Sequence, residues 1–89
     1  MCVEIHRSAR RHGVADEDIR HAEEFALVVL SREPDTGPSK LLVIGPDRAR
    51  NLIELVVLEL PADRLLAIHA MALRPKYYEL LPSGEDDDD

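Results

Sequence analysis

The chain has 89 residues and a formal net charge of −7, which limits it to one small domain with a modest hydrophobic core. No apolar segment approaches the roughly 20 residues that cross a bilayer, so we expect no membrane partner. The lone Cys2 has no partner for an internal disulfide, and no signal-like apolar run follows a basic start. These features predict a cytoplasmic protein.

Much of the acidity lies at the C-terminus. The chain has 18 acidic and 11 basic residues, and the last seven residues, SGEDDDD, contain five of the acids. This segment has no apolar group to bury, which predicts a disordered acidic tail over residues 83–89 and a single folded domain over residues 1–82. The tail is either a solvated appendage or an acidic strip that competes with nucleic acid for a basic groove.

Two short helices are predicted near the N-terminus. The first lies near Arg7–His12 and ends at Gly13, and Val3 and Ile5 before it are typical of a brief strand. A second helix is predicted over Asp16–Glu24, because acids fill its first turn and apolar residues recur at helical spacing.

Four apolar runs follow, with links rich in Pro, Gly and Asp between them. They read ALVVLSRE, KLLVIG, NLIELVVLEL and LLAIHAM, and their short connections predict an antiparallel meander. RPKYYELL then begins a C-terminal helix, with Pro75 in its first turn. The sequence therefore predicts an α+β domain with N-terminal helices, a four-stranded antiparallel meander sheet and a C-terminal helix, the helices covering one face.

The segment RRHGVADEDIRHAEE resembles the KHGV-type start of BrnT-like toxins, in which one helix ends at the glycine and a second follows. The later layout is similar: a Gly-terminated strand (KLLVIG), a long strand after an arginine (RNLIELVVLEL), an Arg-led strand (DRLLAIHAM) and a Tyr-bearing terminal helix. The likeness covers nearly all of residues 6–81. It departs at the end of the last strand, where an Ile-Ser-Ala-Arg pattern of the family is replaced by Ile68, His69, Ala70 and Met71.

This resemblance implies a fold similar to RelE-type ribonucleases of bacterial toxin–antitoxin systems. It implies cleavage of RNA (mRNA) without a metal or other cofactor, and silencing by a cognate antitoxin protein. A homodimer is a further expected partner. The alternative is a non-enzymatic module of the same fold that binds RNA or protein, which Met71 and the acidic tail favour.

The candidate catalytic residues are clustered where the last strand meets the last helix. Imidazole exchanges protons near neutral pH, which makes His69 the candidate acid or base, and Arg74 the candidate holder of charge on phosphorus oxygens. Strict alternation along a strand would place His69 on one face with Leu65, Ala67 and Met71. Lys76 and Tyr77 are the supporting candidates, and the whole cluster could instead only close the fold.

Six further cations lie in two short segments of the sequence, and we expect them to contact RNA phosphates. They are Arg7, Arg10 and Arg11 near the first helix, and Lys40, Arg48 and Arg50 around the middle strands. The alternative is that the cations of both segments are scattered on the surface and bind no RNA. His6, His12 and His21 lack metal-like spacing with Cys2 or any acidic cluster, so no metal site is expected.

Overall fold

The computed structural model of the chain describes residues 3–32 and 39–82. It contains one α-helix, α1 over Asp16–Glu24, and two 3₁₀ helices, over Arg7–Arg10 and Pro75–Leu80. Five strands complete the described part: β1 (Glu4–Ile5), β2 (Val28–Arg32), β3 (Lys40–Pro46), β4 (Leu52–Leu60) and β5 (Arg64–Ala72). The predicted α+β class and the predicted bounds of α1 are confirmed, whereas the predicted acidic tail lies outside the described residues.

The five strands form one mixed sheet in the order β1-β5-β4-β3-β2. β2 to β5 pair antiparallel in chain order, so the predicted meander is confirmed. β1 adds a fifth strand that pairs parallel with β5, with Glu4 opposite Leu66 and Ile5 opposite Ala67. The prediction of a four-stranded sheet was therefore wrong. The strand that pairs with β1 is about sixty residues away, and local sequence patterns do not indicate such a distant pairing.

α1 forms where three acids, Asp16 to Asp18, meet the positive end of the helix dipole. Its buried residues Ile19 and Ala22 pack on one face of the sheet. The helix approaches β3 so closely that a Cβ at Gly45 would collide with the backbone carbonyl of Ala22. A glycine in this strand therefore determines how near α1 can lie to the sheet.

The hydrophobic core lies between α1 and the sheet. Its sheet side consists of Val43, Ile53, Leu55, Val57, Ala67 and Ala70, all of which are buried. Because side chains alternate along a strand, Glu54 lies on the opposite face of β4, where its directly paired residues are Ile44 on β3 and Met71 on β5. Ile44 and Glu54 are both fully buried, so this second face also contains buried side chains.

A β-bulge interrupts β5. Val57 pairs with Ala67, but its neighbour Val56 pairs with His69, which leaves Ile68 as the extra residue. The predicted strict alternation from Leu65 to Met71 was therefore wrong. Ala67 and Ala70 both belong to the core, and His69 lies on the opposite face with Met71, as Glu54 does.

Both predicted terminal helices are short 3₁₀ helices. The first has four residues, begins with the His6 ring accepting from the Ser8 amide, and is held to β5 by the Ser8 hydroxyl, which donates to the Ile68 carbonyl at 2.7 Å. The segment that enters the second brings Arg74 to Glu54 on the face opposite α1. The prediction that all helices cover one face was therefore wrong. None of the helices in residues 3–32 and 39–82 is long and apolar enough to cross a membrane.

Candidate functional site

The candidate site is built around the side chain of Glu54. β4 contributes this residue from its buried middle, and the side chain is 0% exposed although its carboxylate is ionisable. A buried charge is costly unless it is paired and hydrogen-bonded, and Glu54 has partners on both sides. These partners are His69 and Arg74, two of the residues that the sequence singles out.

His69 contacts Glu54 through one ring nitrogen. Its Nε2 atom lies 3.1 Å from Oε2 of Glu54, and because a carboxylate only accepts, Nε2 must carry the hydrogen. In the neutral ring, Nδ1 is then the acceptor, and within the described part of the chain it has no hydrogen-bond partner. The side chain of His69 is 27% exposed, so solvent reaches the ring, and the buried carboxylate of Glu54 fixes its orientation.

Arg74 binds the same carboxylate from the other side. Its Nη2 donates to Oε2 at 2.6 Å, its Nε lies 3.1 Å from Oε2, and its backbone amide donates to Oε1 at 3.1 Å. The third guanidinium nitrogen, Nη1, has no contact with Glu54. The side chain is 41% exposed, so the guanidinium connects a buried carboxylate to the surface.

The charge on Glu54 depends on these contacts. Burial by itself raises the pKa of Glu54, but hydrogen bonds from the Arg74 side chain and backbone and from His69 together lower it below its ordinary value. The hydrogen bond to Glu54 in turn raises the pKa of Arg74. Glu54 is therefore ionised at neutral pH, and the arginine is held as a cation.

Tyr77 and Lys76 extend the cluster along the second 3₁₀ helix. The guanidinium carbon of Arg74 lies 5.5 Å from the centre of the Tyr77 ring, and Nζ of Lys76 lies 5.1 Å from the same centre. Both distances are within the range of cation–π attraction. The structure thus brings His69, Arg74, Lys76 and Tyr77 into one connected group, with Glu54 at its centre.

His12 adds a second imidazole to this group. It follows the first 3₁₀ helix, and its ring meets that of His69 edge-on, with centroids 5.7 Å apart and planes at 76°. Neither Glu54 nor His12 was among the predicted site residues. Glu54 carries a readable signal, a carboxylate with apolar residues on both sides in the middle of β4, whereas nothing in the sequence connects His12 with β5.

The six predicted RNA-contacting cations do not form one track. Arg10 and Arg48 are engaged in ion pairs, with Asp16 and Asp18 respectively, each at 2.8 Å. Lys40 is opposite Leu58, at the far end of the sheet from Arg48 and Arg50. Arg7 and Arg11 are exposed in or next to the first 3₁₀ helix, and in residues 3–32 and 39–82 they have no ion-pair partner.

Within the described ranges, no three His, Cys, Asp or Glu side chains are grouped so as to hold a metal ion.

Comparison of the chain with protein-family models, with curated proteins and with solved structures finds no match. The cluster around Glu54 is therefore the candidate functional site of the described residues.

Proposed function

We propose that the chain is a metal-independent endoribonuclease of the BrnT/RelE toxin type, in which His69 and Arg74 are the working pair. The observation that carries the proposal is the buried carboxylate of Glu54, which fixes both of these side chains at once. A proton-exchanging ring and a permanent cation, held rigidly at a partly exposed point, are what metal-free phosphodiester cleavage requires.

The reaction uses the 2′-hydroxyl of RNA as the nucleophile. Its oxygen attacks the adjacent phosphorus while the bond from phosphorus to the 5′-oxygen breaks. His69 takes the hydroxyl proton on Nδ1, since Glu54 holds its Nε2–H. The leaving 5′-oxygen needs a proton in return, and the adjacent ring of His12 is an imidazole that can supply it.

Arg74 supplies the electrostatic part of the mechanism. Charge develops on the non-bridging phosphorus oxygens during attack, and a fixed cation stabilises it without having to reorganise. Glu54 occupies Nε and Nη2, so Nη1 is the nitrogen available to a phosphate oxygen. Lys76, beside Tyr77, adds a second positive charge at the same rim.

Two observations favour the second candidate function, a non-enzymatic binding module. The guanidinium of Arg74 is largely committed to Glu54, as in an ion pair that only closes a fold, and Met71 instead of a cation lies opposite Glu54 on β5. In that case the cluster would bind RNA or a protein without cleaving.

The partners proposed with either function are RNA and a protein, in a cytoplasmic setting. Four of the large apolar residues that are exposed in the described chain lie close together in or just before the edge strand β2: Phe25, Leu27, Val29 and Leu30. Edge strands with exposed apolar side chains pair readily with other chains, which supports a cognate antitoxin or a second copy at this edge. A neighbouring reading frame that encodes a small protein with a DNA-binding pattern would favour the antitoxin.

The proposal is tested with His69→Gln and His69→Ala. Glutamine can still donate an N–H to Glu54 but cannot exchange a proton, so both variants should lose about a hundredfold or more in RNA cleavage rate. Arg20→Ala is the matched control and should cleave like the parent, because Arg20 is an exposed residue of α1, on the other face of the sheet from Glu54. Circular dichroism checks that all three variants are folded.

Three results would contradict the proposal or the role that it assigns to His69. Unchanged cleavage by His69→Gln would show that His69 is not catalytic. RNA binding without cleavage by both parent and variant would favour the binding module. Unfolding of His69→Ala, together with a stable His69→Gln variant that still cleaves, would assign His69 a structural role.

A further inference from the structure

A cavity of about 440 Å³ opens beside the candidate site, at the end of the sheet where β4 begins and β5 ends. Its lining includes Arg50, Asn51, Leu52, Leu73, Tyr78 and Leu81. This volume falls within the range of small-ligand pockets, which combine apolar walls with a few polar groups. The cavity has both, since leucines and a tyrosine face an arginine and an asparagine.

Tyr78 gives the cavity an exposed aromatic wall. Its side chain is 56% exposed, which leaves the ring available for stacking, whereas its neighbour Tyr77 is half-buried against Arg74 and Lys76. The two tyrosines therefore have separate surroundings. Planar bases stack on such rings in single-stranded RNA recognition, and the contact contributes about 1–3 kcal/mol per base.

Arg50 and Asn51 give the cavity its polar edge. The side-chain amide nitrogen of Asn51 lies 3.5 Å from the carboxylate of Asp47, which leaves the amide oxygen of Asn51 to face a ligand donor. Arg50 is exposed and, in the parts of the chain that the structure describes, has no ion-pair partner. An arginine can either stack on a base or hold its flanking phosphate.

The cavity directly adjoins the proposed catalytic cluster. Leu52 is two residues before Glu54 on β4, on the same face, which corresponds to about 7 Å along the strand. The amide of Leu73 donates to the Leu52 carbonyl at 3.1 Å, and the next residue is Arg74. A phosphate held at Arg74 would therefore have its own nucleoside within reach of the cavity.

We propose that this cavity binds one unstacked nucleobase of single-stranded RNA, next to the phosphate held at His69 and Arg74. The inference rests on the proposed function and adds to it the subsite that selects the cleavage position. Tyr78 stacks on the base, Asn51 accepts from its edge, and Arg50 contacts the flanking phosphate.

The observations favour a base over a protein segment in this cavity. Arg50 lines the cavity, and Arg74 directly follows the lining residue Leu73, so two cations are available to a polyanion. The exposed apolar residues that suit a protein partner lie elsewhere, in and just before β2, which is separated from β5 by β3 and β4. The two surfaces are separate, so an antitoxin on β2 would not need to fill the cavity.

The test is binding of a 2′-O-methyl RNA oligonucleotide of about eight nucleotides, which cannot be cleaved, measured by fluorescence anisotropy. Tyr78→Leu should weaken binding about tenfold, since it removes one stacked base, and Tyr78→Phe should restore it. Phe25→Leu is the matched control, because Phe25 is a comparably exposed aromatic (53%) that does not line the cavity. Arg50→Ala should weaken binding and reduce its salt dependence.

The outcomes separate this inference from the proposed function. Equal binding by Tyr78→Leu and the parent overturns the base subsite, even if the parent cleaves RNA. Tyr78-dependent binding by a parent that does not cleave supports the subsite and rejects the endoribonuclease. Failure of the parent to bind RNA overturns both, and a Tyr78-dependent dimer without RNA binding shows that a second copy fills the cavity.

Discussion

Glu54→Gln is the sharpest perturbation of the cluster. Glutamine keeps the volume of glutamate, but it loses the charge and turns an NH₂ group toward partners that only donate. The side chain of Glu54 is fully buried and accepts from His69 Nε2, from the Arg74 backbone amide and from the Arg74 guanidinium. The substitution therefore affects all three contacts at once without creating a cavity.

The expected cost follows from these contacts. Breaking a buried ion pair by removing one partner costs about 3–5 kcal/mol, and a single hydrogen bond to a charged group contributes about 1.5–3 kcal/mol. Here His69 and Arg74 reach solvent and can hydrate in the variant, which places the loss near the lower end, at about 2–3 kcal/mol. In a domain of this size that loss lowers Tm by roughly 10–20 °C.

The difference between parent and variant should depend on pH. The pKa of Glu54 is lowered in the folded state from the ordinary value of 4.5, so its ionised form favours folding. This contribution is fully present above the unfolded pKa and is lost as pH falls through the lowered folded pKa. Since Glu54→Gln cannot titrate at this position, the gap in unfolding free energy should narrow in acid.

The assay is chemical denaturation at about pH 7 and about pH 3. Glu59→Gln is the matched control, because Glu59 lies on the same strand but is exposed, and it should unfold like the parent at both values. A Glu54→Gln variant as stable as the parent at neutral pH would refute the argument. So would a gap of the same size at both pH values, since it would show that the charge of Glu54 does not contribute.

Two further predictions concern the fold. Gly45→Ala should lower the free energy of unfolding by about 3 kcal/mol, because its Cβ would overlap the Ala22 carbonyl. Gly13→Ala should cost only about 1 kcal/mol, since Gly13 has φ of 79° but open space around it; equal losses in chemical denaturation would contradict the packing argument. Removal of residues 83–89 should change Tm by less than about 2 °C, because the segment has no apolar group to bury, and a larger drop in thermal denaturation would show that its acids dock on the domain.

The sequence predicts those parts of the fold that local patterns encode. Helical spacing and first-turn acids locate α1, and apolar runs between Pro- and Gly-rich links locate β2 to β5. The parallel pairing of β1 with β5 depends on residues about sixty positions apart, so no local window contains it. The terminal segments are short, and in such lengths a 3₁₀ helix is not distinguishable from an α-helix by composition.

The candidate site is predictable only in part, for a related reason. His69, Arg74, Lys76 and Tyr77 are near one another in sequence, and a strand followed by a helix start keeps them near in space. Glu54 and His12 approach them from other elements, and these contacts exist only after the sheet has formed. The six cations expected to contact RNA lie on separate parts of the described fold, and acids on α1 pair with two of them, Arg10 and Arg48.

The bulge at Ile68 shifts by one residue which positions of β5 face the core. Before it, the side chains that enter the core lie at odd-numbered positions such as Ala67, and after it at even-numbered positions such as Ala70. His69 faces the cluster only because of this one inserted residue. In a related chain without the inserted residue, the position aligned with His69 would face the core, so a residue-by-residue alignment across β5 would match His69 with a core residue. Alignments of such chains should therefore be anchored on Glu54, because its contact with His69 identifies which residues of β5 lie on the face opposite the core.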